Sequence, residues 1–324
     1  MTAHPEFAVI GAGAWGTALA SLYAAQGRRV ALVARDSTKA AALATTRTTP
    51  RLPGLRLPDS LAVTARPPEA PVTLLAVPFQ HLRETLGRLP QGNGTLVLCA
   101  KGVERESGAL GPEIAAEMEP RRPCAVLTGP NFAHEIAIGL PAAAVLAMTD
   151  DGARRDLVQH LATPRLRVYG SADPIGAALG WAAKNVIAIA AGAVIGAGLG
   201  ENARAALVTR GLAELARLAV ALGGRAETVS GLSGMGDLLL TCTSEASRNY
   251  SFGLALGGGA RPAEILAART AVTEGVATAP ALVARALKLG VAVPVCAAVA
   301  GVLGERITLA QAIAALLARR LRDE

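Results

Sequence analysis

The chain opens with an apolar run, a glycine-spaced turn and a long stretch of small residues, FAVIGAGAWGTALASLYAAQG. A short continuous apolar run ended by glycine reads as a buried strand, and the Ala/Leu-rich stretch behind it as a helix. RRVALVARD supplies a second strand, from about Arg29 to Ala34. Further short apolar runs recur at helix-and-strand spacing: VTLLAVP (72–78), TLVLCAKG (95–102), CAVLTGP (124–130), AAAVLAM (142–148) and LRVYG (166–170). Strands alternating with helical stretches predict a parallel, doubly wound sheet whose ligands lie beyond the carboxyl ends of its strands. After residue 170 the strand signal stops, and SADPIGAALGWAAKNVIAIAAGAV, NARAALVTRGLAELARLAVALGG and ITLAQAIAALLARRL all read as helices. The expected organisation is an α/β N-terminal Rossmann-type doubly wound sheet over 1–172 and an all-α C-terminal domain over 173–324. The boundary falls near Ser171 to Pro174, and no internal repeat stands out.

The opening turn spaces Gly11, Gly13 and Gly16 as G-x-G-x-x-G, with Ala14 and Trp15 between the last two. Between a strand and a helix this is the dinucleotide fingerprint. The first glycine permits the tight turn, the second lets a pyrophosphate approach the backbone, and the third packs helix on strand. An acidic residue is the usual partner of the ribose 2′-OH at the end of the second strand; here Arg35 stands there, followed by Asp36. A guanidinium at that point suits a 2′-phosphate, so NADP(H) is the expected cofactor, with NAD(H) allowed through Asp36. The later strand ends carry Pro78-Phe79, Lys101-Gly102 and Gly129-Pro130-Asn131, which places Phe79 and Lys101 toward the cofactor.

Composition narrows the classes. The 324 residues are 52% hydrophobic and only 3% aromatic, so the cores must be built from Ala, Leu, Val and Ile. The net charge is +7, but the cations are scattered and there is no aromatic platform for bases, which speaks against nucleic acid and leaves small anions. The four cysteines (99, 124, 242, 296) have no C-x-x-C spacing, and the histidines at 4, 81, 134 and 160 do not gather round them; no metal site is expected. The N-terminus lacks the basic-then-apolar order of a secretory signal. The uncharged runs Asn185–Gly200 and Leu289–Gly304 fall short of a membrane span and read as buried helices. A cytoplasmic protein without an integral membrane segment is expected.

Only four of the 32 cations are lysine: 39, 101, 184 and 288. Where any cation serves, this chain uses arginine. Arginine stays protonated at any working pH, whereas a desolvated lysine can surrender its proton. Lys39 and Lys288 sit in ordinary surface contexts. Lys184 lies in GWAAKNVIAIAAG, the only charge between Asp173 and Glu201, with Asn185 beside it. A lone lysine in such a run commonly snorkels to water. A second polar cluster argues otherwise. In GLSGMGDLLLTCTSEASRNY (231–250), Asp237 and Thr241 are four apart and share a helix face, and Ser247, Arg248 and Asn249 follow. An acid in an apolar segment needs a cation, which makes Lys184 its candidate partner, and Arg248 with Ser247 and Asn249 can hold a phosphate.

The motifs GAGAWGTALA, AKG (100–102), GPNFAHE (129–135), GWAAKNVIAI (180–189), NARAAL (202–207), GMGDLLLTCTSEASRN (234–249) and VTEG (272–275) occur in this order over nearly the whole chain. Together they resemble the bacterial NAD(P)-dependent glycerol-3-phosphate dehydrogenases. The resemblance implies a Rossmann domain followed by a helical domain, and a homodimer that interconverts dihydroxyacetone phosphate and sn-glycerol 3-phosphate for glycerophospholipid synthesis. By position it makes Lys184 the proton donor, with Asp237 and Thr241 beside the reacting centre. Lys101 would contact substrate and cofactor; Gly129, Asn131, Ser247, Arg248 and Asn249 would take the substrate. Gly11, Gly13, Ala14, Trp15, Gly16, Arg35, Phe79 and Ala133 would line the cofactor, with Arg248, Val272 and Glu274. Two positions depart from the family's pattern: Asn131 where Thr is common, and Val276 where an aromatic is frequent. Two other readings remain open at this stage. One is a sister reductase for β-hydroxyacids or ketopantoate, which explains the S-R-N block less well; the other is a non-catalytic NAD(P) sensor, which has no need of Lys184, Asp237, Arg248 and Asn249 together.

Overall fold

The structure, a computed structural model, describes residues 4–269 and 272–319. The chain divides into two compact units. The first runs up to Lys101 and again from Gly111 to Pro174; the second takes Gly102–Leu110 and the described chain from Ile175 onward. The sequence pattern marked one crossing near residue 172. It had no means of showing that the nine residues after Lys101 belong with the helices, because their affiliation depends on which core Val103 and Leu110 enter: both are buried in the helical one.

The first unit contains β1 (Phe7–Ile10), α1 (Ala14–Ala25), β2 (Val30–Val33), α2 (Ser37–Thr46), β3 (Ala62–Thr64) and β4 (Val72–Leu75). A 3-10 turn (Phe79–His81) leads to α3 (Leu82–Leu86), β5 (Thr95–Leu98), α4 (Gly111–Met118), β6 (Cys124–Thr128), α5 (Ala133–Ala137), β7 (Ala142–Ala147), α6 (Asp151–Leu161) and β8 (Leu166–Ser171). The eight strands form one sheet in the order β3-β2-β1-β4-β5-β6-β7-β8. All neighbours are parallel except β6 and β7. Phe7 of β1 registers with Val30 of β2 on one side and Val72 of β4 on the other, so the chain reverses its winding direction at β1. Strands β1, β2 and β4 are buried at every residue, as a sheet covered on both faces requires, and this is why they read as unbroken apolar runs. The sequence reading did not mark β3: three half-exposed residues at the sheet edge carry little hydrophobic signal.

The second unit is helical: α7 (Pro174–Gly196), α8 (Gly200–Ala221), α9 (Ala226–Ser230), a π turn (Leu232–Gly236), α10 (Asp237–Cys242), α11 (Arg248–Gly257), α12 (Pro262–Ala267), α13 (Glu274–Lys288), α14 (Pro294–Leu303) and α15 (Leu309–Leu317). Helix α7, with 23 residues, is long and apolar enough to cross a membrane, yet 89% of its apolar window is buried inside the protein. It is the core's axis. Helix α11 lies tightly against it: a Cβ on Gly192 would stand 2.0 Å from Tyr250 O, and one on Gly253 would stand 1.9 Å from Ile189 O. The two backbones touch through glycines, which draws the start of α11 against the middle of α7. A buried carboxylate adds a second tie, with Glu214 of α8 accepting from Val295 N at 2.7 Å and Cys296 N at 3.3 Å at the start of α14. Burial holds the Glu214 pKa above the ordinary carboxylate range, opposed by those two N–H groups. Glu214 lies on the apolar face of its helix with Gly211, Leu215 and Leu218, and an acid in that stripe is a signal the sequence reading passed over.

Candidate active site

The glycines of SGMGD have a local task. Gly236 N bonds Gly231 O at 3.1 Å, the wide spacing of a π turn, and a Cβ on Gly234 would fall 1.8 Å from Val229 O. The turn delivers Asp237 as the first residue of α10 with its side chain 1% exposed. There it forms an ion pair with Lys184 of α7, itself 3% exposed, through Nζ and Oδ2. One turn further along α10, Thr241 Oγ1 donates to Asp237 Oδ1 at 3.2 Å. An unpaired charge in such a place costs several kcal/mol, so each of these groups makes the other tolerable. Lys184 Nζ has three donors, and among the described residues Asp237 is its one ion-pair partner. The ammonium is oriented, with N–H capacity remaining for a substrate oxygen. Cys242, also buried here, is no rival nucleophile, because burial pushes its thiol up to about 12.

A neutral relay runs alongside. Asn249 of α11 donates through Nδ2 to Asn185 Oδ1 at 3.0 Å and accepts through Oδ1 from Gly275 N at 3.0 Å. Gly275 is the second residue of α13, and a Cβ there would lie 2.7 Å from both Asn185 O and Asn249 Oδ1. Three helices therefore meet at one asparagine. Gly275 was not singled out from the sequence, although it closes the VTEG motif. Ser247 is the N-cap of α11, its Oγ accepting from Tyr250 N at 3.3 Å. Arg248 is exposed, and its carbonyl is latched by Arg269 Nη1 at 2.7 Å. Glu274 opens α13, and Val272 is exposed just before it. Lys184, Asp237, Thr241, Ser247, Arg248 and Asn249, dispersed over 66 residues of sequence, thus occupy neighbouring elements of one unit.

The first unit gathers the other expected residues. Gly11 has φ +110°, a conformation other residues rarely adopt, and Ala76 O would lie 2.7 Å from a Cβ there. Gly13 is the N-cap of α1 without any side-chain capping bond, and a Cβ on it would meet nothing within 4 Å. Ala14 and Trp15 start the helix, and Gly16 faces Gly11 O so closely that a Cβ would stand at 2.0 Å. The first-turn N–H groups of α1 thus have no side-chain cap, and the buried Trp15 Nε1 has no hydrogen-bond partner. An anionic dinucleotide fits this set of unmet donors. Lys101 Nζ lies 6.0 Å from the centroid of the Trp15 ring, bringing the end of β5 to the glycine turn. Phe79 is buried at the end of β4, and Ala133 begins α5, which packs on α1. Gly129 follows β6 with φ +137°, and Asn131 Nδ2 donates to Ala143 O at 3.0 Å while its buried Oδ1 is unpartnered. Arg35 is exposed, 3.7 Å from Asp36 Oδ2. Among the described residues no cluster of His, Cys, Asp and Glu could hold a metal ion.

Two sequence profiles match: the N-terminal part of NAD-dependent glycerol-3-phosphate dehydrogenase over residues 6–154, and its C-terminal part over 173–314. The chain is 84% identical to the glycerol-3-phosphate dehydrogenase [NAD(P)+] of Acidiphilium cryptum, over the full length of both. It is 50% identical to that of Gluconobacter oxydans, covering 98% of each. The crystal structure of a glycerol-3-phosphate dehydrogenase from Coxiella burnetii superposes with a TM-score of 0.91 at 36% identity, covering 98% of this chain and 99% of that one.

Proposed function

The chain belongs to the NAD-dependent glycerol-3-phosphate dehydrogenase family, and from that premise we propose that it interconverts dihydroxyacetone phosphate and sn-glycerol 3-phosphate, using NADP(H) in preference to NAD(H) and Lys184 as acid/base. The observation that carries the reading is the buried Lys184–Asp237 pair. When bound, the nicotinamide cofactor supplies the hydride to the carbonyl carbon. Negative charge then builds on the carbonyl oxygen, where an ammonium held in place stabilises it and donates its proton. Asp237 keeps the Lys184 side chain aimed, and Thr241 fixes the carboxylate that does so. In the reverse direction Lys184 accepts the proton from the alcohol.

Arg248, Ser247 and Asn249 take the substrate phosphate, and Lys101, Gly129 and Asn131 are assigned to the substrate by family resemblance alone. The glycine turn holds the pyrophosphate, with Phe79, Ala133, Val272 and Glu274 as further cofactor contacts. The NADP(H) preference rests on Arg35; the Asp36 carboxylate caps α2 through Oδ1, accepting from Lys39 N at 2.8 Å, and keeps Oδ2 for a ribose hydroxyl, which leaves NAD(H) usable. The bond from Lys39 N holds the Asp36 pKa below the ordinary range. A division of labour between a cofactor domain ending near residue 172 and a catalytic domain after it, a cytoplasmic homodimer and a role in supplying glycerophospholipid synthesis are part of the same reading and draw their support from family membership.

The test is the initial rate of NADPH and NADH oxidation with dihydroxyacetone phosphate, for the native protein and for Lys184→Arg. The arginine variant keeps the charge and loses proton transfer, so kcat should fall by about 10²- to 10⁴-fold. Near-normal turnover would remove Lys184 from its role. Oxidation with 2-oxo acids but not with dihydroxyacetone phosphate would replace the substrate.

A further inference from the structure

The start of α11 carries Ser247, Arg248 and Asn249, and a residue from outside that helix grips it. Arg269 lies two residues beyond the end of α12 and three before Val272. Its Nη1 donates to Arg248 O at 2.7 Å and its Nη2 to Ser251 Oγ at 3.1 Å. Its guanidinium carbon stands 5.5 Å from the centroid of the buried Phe252 ring. Positions 248, 251 and 252 are spaced i, i+3 and i+4, so they share one face of the first turn of α11. One planar fork therefore holds that turn by its backbone, a hydroxyl and a ring at once. Asn249 is fixed independently, by Asn185 of α7 and by Gly275 N of α13. The three residues assigned to the substrate phosphate are thus braced from two sides.

Both groups that accept from Arg269 are neutral, and among the described residues no carboxylate pairs with it. Partial burial lowers its pKa from the ordinary guanidinium value, with no acid acting against that effect. Its charge stands uncompensated beside the N-terminus of a ten-residue helix, an end that itself carries roughly half a positive charge. A cation placed there is repelled until an anion arrives. We propose that Arg269 is a positioning residue for the substrate phosphate: it locks the first turn of α11 so that Ser247, Arg248 and Asn249 meet the dianion together, and it leaves beside them a positive charge that the dianion neutralises. Arg269 acts through Arg248 rather than by touching the substrate. The proposal rests on the phosphate reading of α11 given above.

Steady-state kinetics with dihydroxyacetone phosphate varied at saturating NADPH, and with inorganic phosphate as competitor, tests it. Arg269→Ala should raise the KM for dihydroxyacetone phosphate and the inhibition constant of phosphate about tenfold each, the scale of one charge-assisted interaction lost, with kcat and the KM for NADPH little changed. Arg269→Lys keeps the charge and a donor but not the fork, so it should recover part of both losses. Arg248→Ala is the reference and should weaken phosphate further. A lowered melting temperature with native KM and native phosphate inhibition would make Arg269 a structural tie only and overturn the proposal. Phosphate competition that Arg248→Ala weakens and Arg269→Ala leaves intact would overturn Arg269 alone. Phosphate that does not compete in the native protein, or competes equally well in Arg248→Ala, would overturn the phosphate reading of α11 and Arg269 with it. Should the alanine variant fail to fold, Arg269→Lys decides, and native constants in it would overturn the proposal.

Discussion

The glycine turn of the first unit and the lysine cluster of the second are both assigned anionic ligands, and they are built in opposite ways. Around Gly11–Gly16 the groups offered are backbone N–H donors of one short segment, with exposed cations at the neighbouring strand ends. Around Lys184 they are side chains from three helices with a backbone N–H from a fourth, nearly all buried, each held by another. A backbone cradle needs little more than the right local conformation, so it tolerates an open, solvated setting. Charged and polar side chains taken into a dry place need partners there. The first construction belongs to a stretch of sequence, the second to a tertiary contact.

Glycine substitutions should break the comparison most sharply. Gly253→Ala places a methyl 1.9 Å from Ile189 O, so α7 and α11 must part. Even after the helical preference of alanine, a net loss of about 2 kcal/mol is expected in urea unfolding, and the KM for dihydroxyacetone phosphate should rise because the start of α11 moves. Gly13→Ala meets open space at φ −77° and should leave the unfolding midpoint unchanged. Its effect should instead fall on NADPH, about tenfold in affinity, because the methyl stands where the pyrophosphate approaches. Equal unfolding losses in the two variants would contradict the distinction.

Asn249→Ala is next in size. It leaves Gly275 N–H and Asn185 Oδ1 without their partner in a buried place, which costs about 1–3 kcal/mol. Unfolding should report that loss together with weaker substrate binding, whereas a solvated asparagine would affect binding alone.

Glu214→Gln should have the smallest effect, below about 1 kcal/mol near neutral pH, since an amide oxygen can still accept from Val295 N. The pH dependence carries the information. Burial raises the Glu214 pKa in the folded state, so the folded form takes up a proton more readily than the unfolded one. Its contribution is therefore fully present below the ordinary carboxylate pKa and is lost as pH rises through the raised value. Melting across that window should show the native protein gaining on the Gln variant as pH falls. Parallel curves would mean that Glu214 titrates ordinarily.

Much of this was legible from the chain. The strand–glycine–helix opening was recognisable because parallel strands buried on both faces read as bare apolar runs. Lys184 and Asp237 stood out because a charge in an apolar helix has to be explained by a partner. Less legible were β3, too short and exposed to carry a pattern, and the segment after Lys101, whose place depends on a core elsewhere. Gly275 and Glu214 were visible as residues but not as contacts: one gives a backbone N–H to Asn249, the other caps a helix 81 residues away.

What the sequence determined by itself is what lies within about ten residues of its own signal: the order of elements, the conformation at Gly11, the N-cap at Asp36 and the presence of a lone ammonium in α7. These follow from backbone sterics and hydrophobic periodicity, which act locally. The tertiary structure alone decided which helices Asn249 joins and which helix start Glu214 caps. Those pairings depend on how close two distant backbones can come. Here that distance is set by glycines at helix crossings, contacts that exist only once the chain has folded.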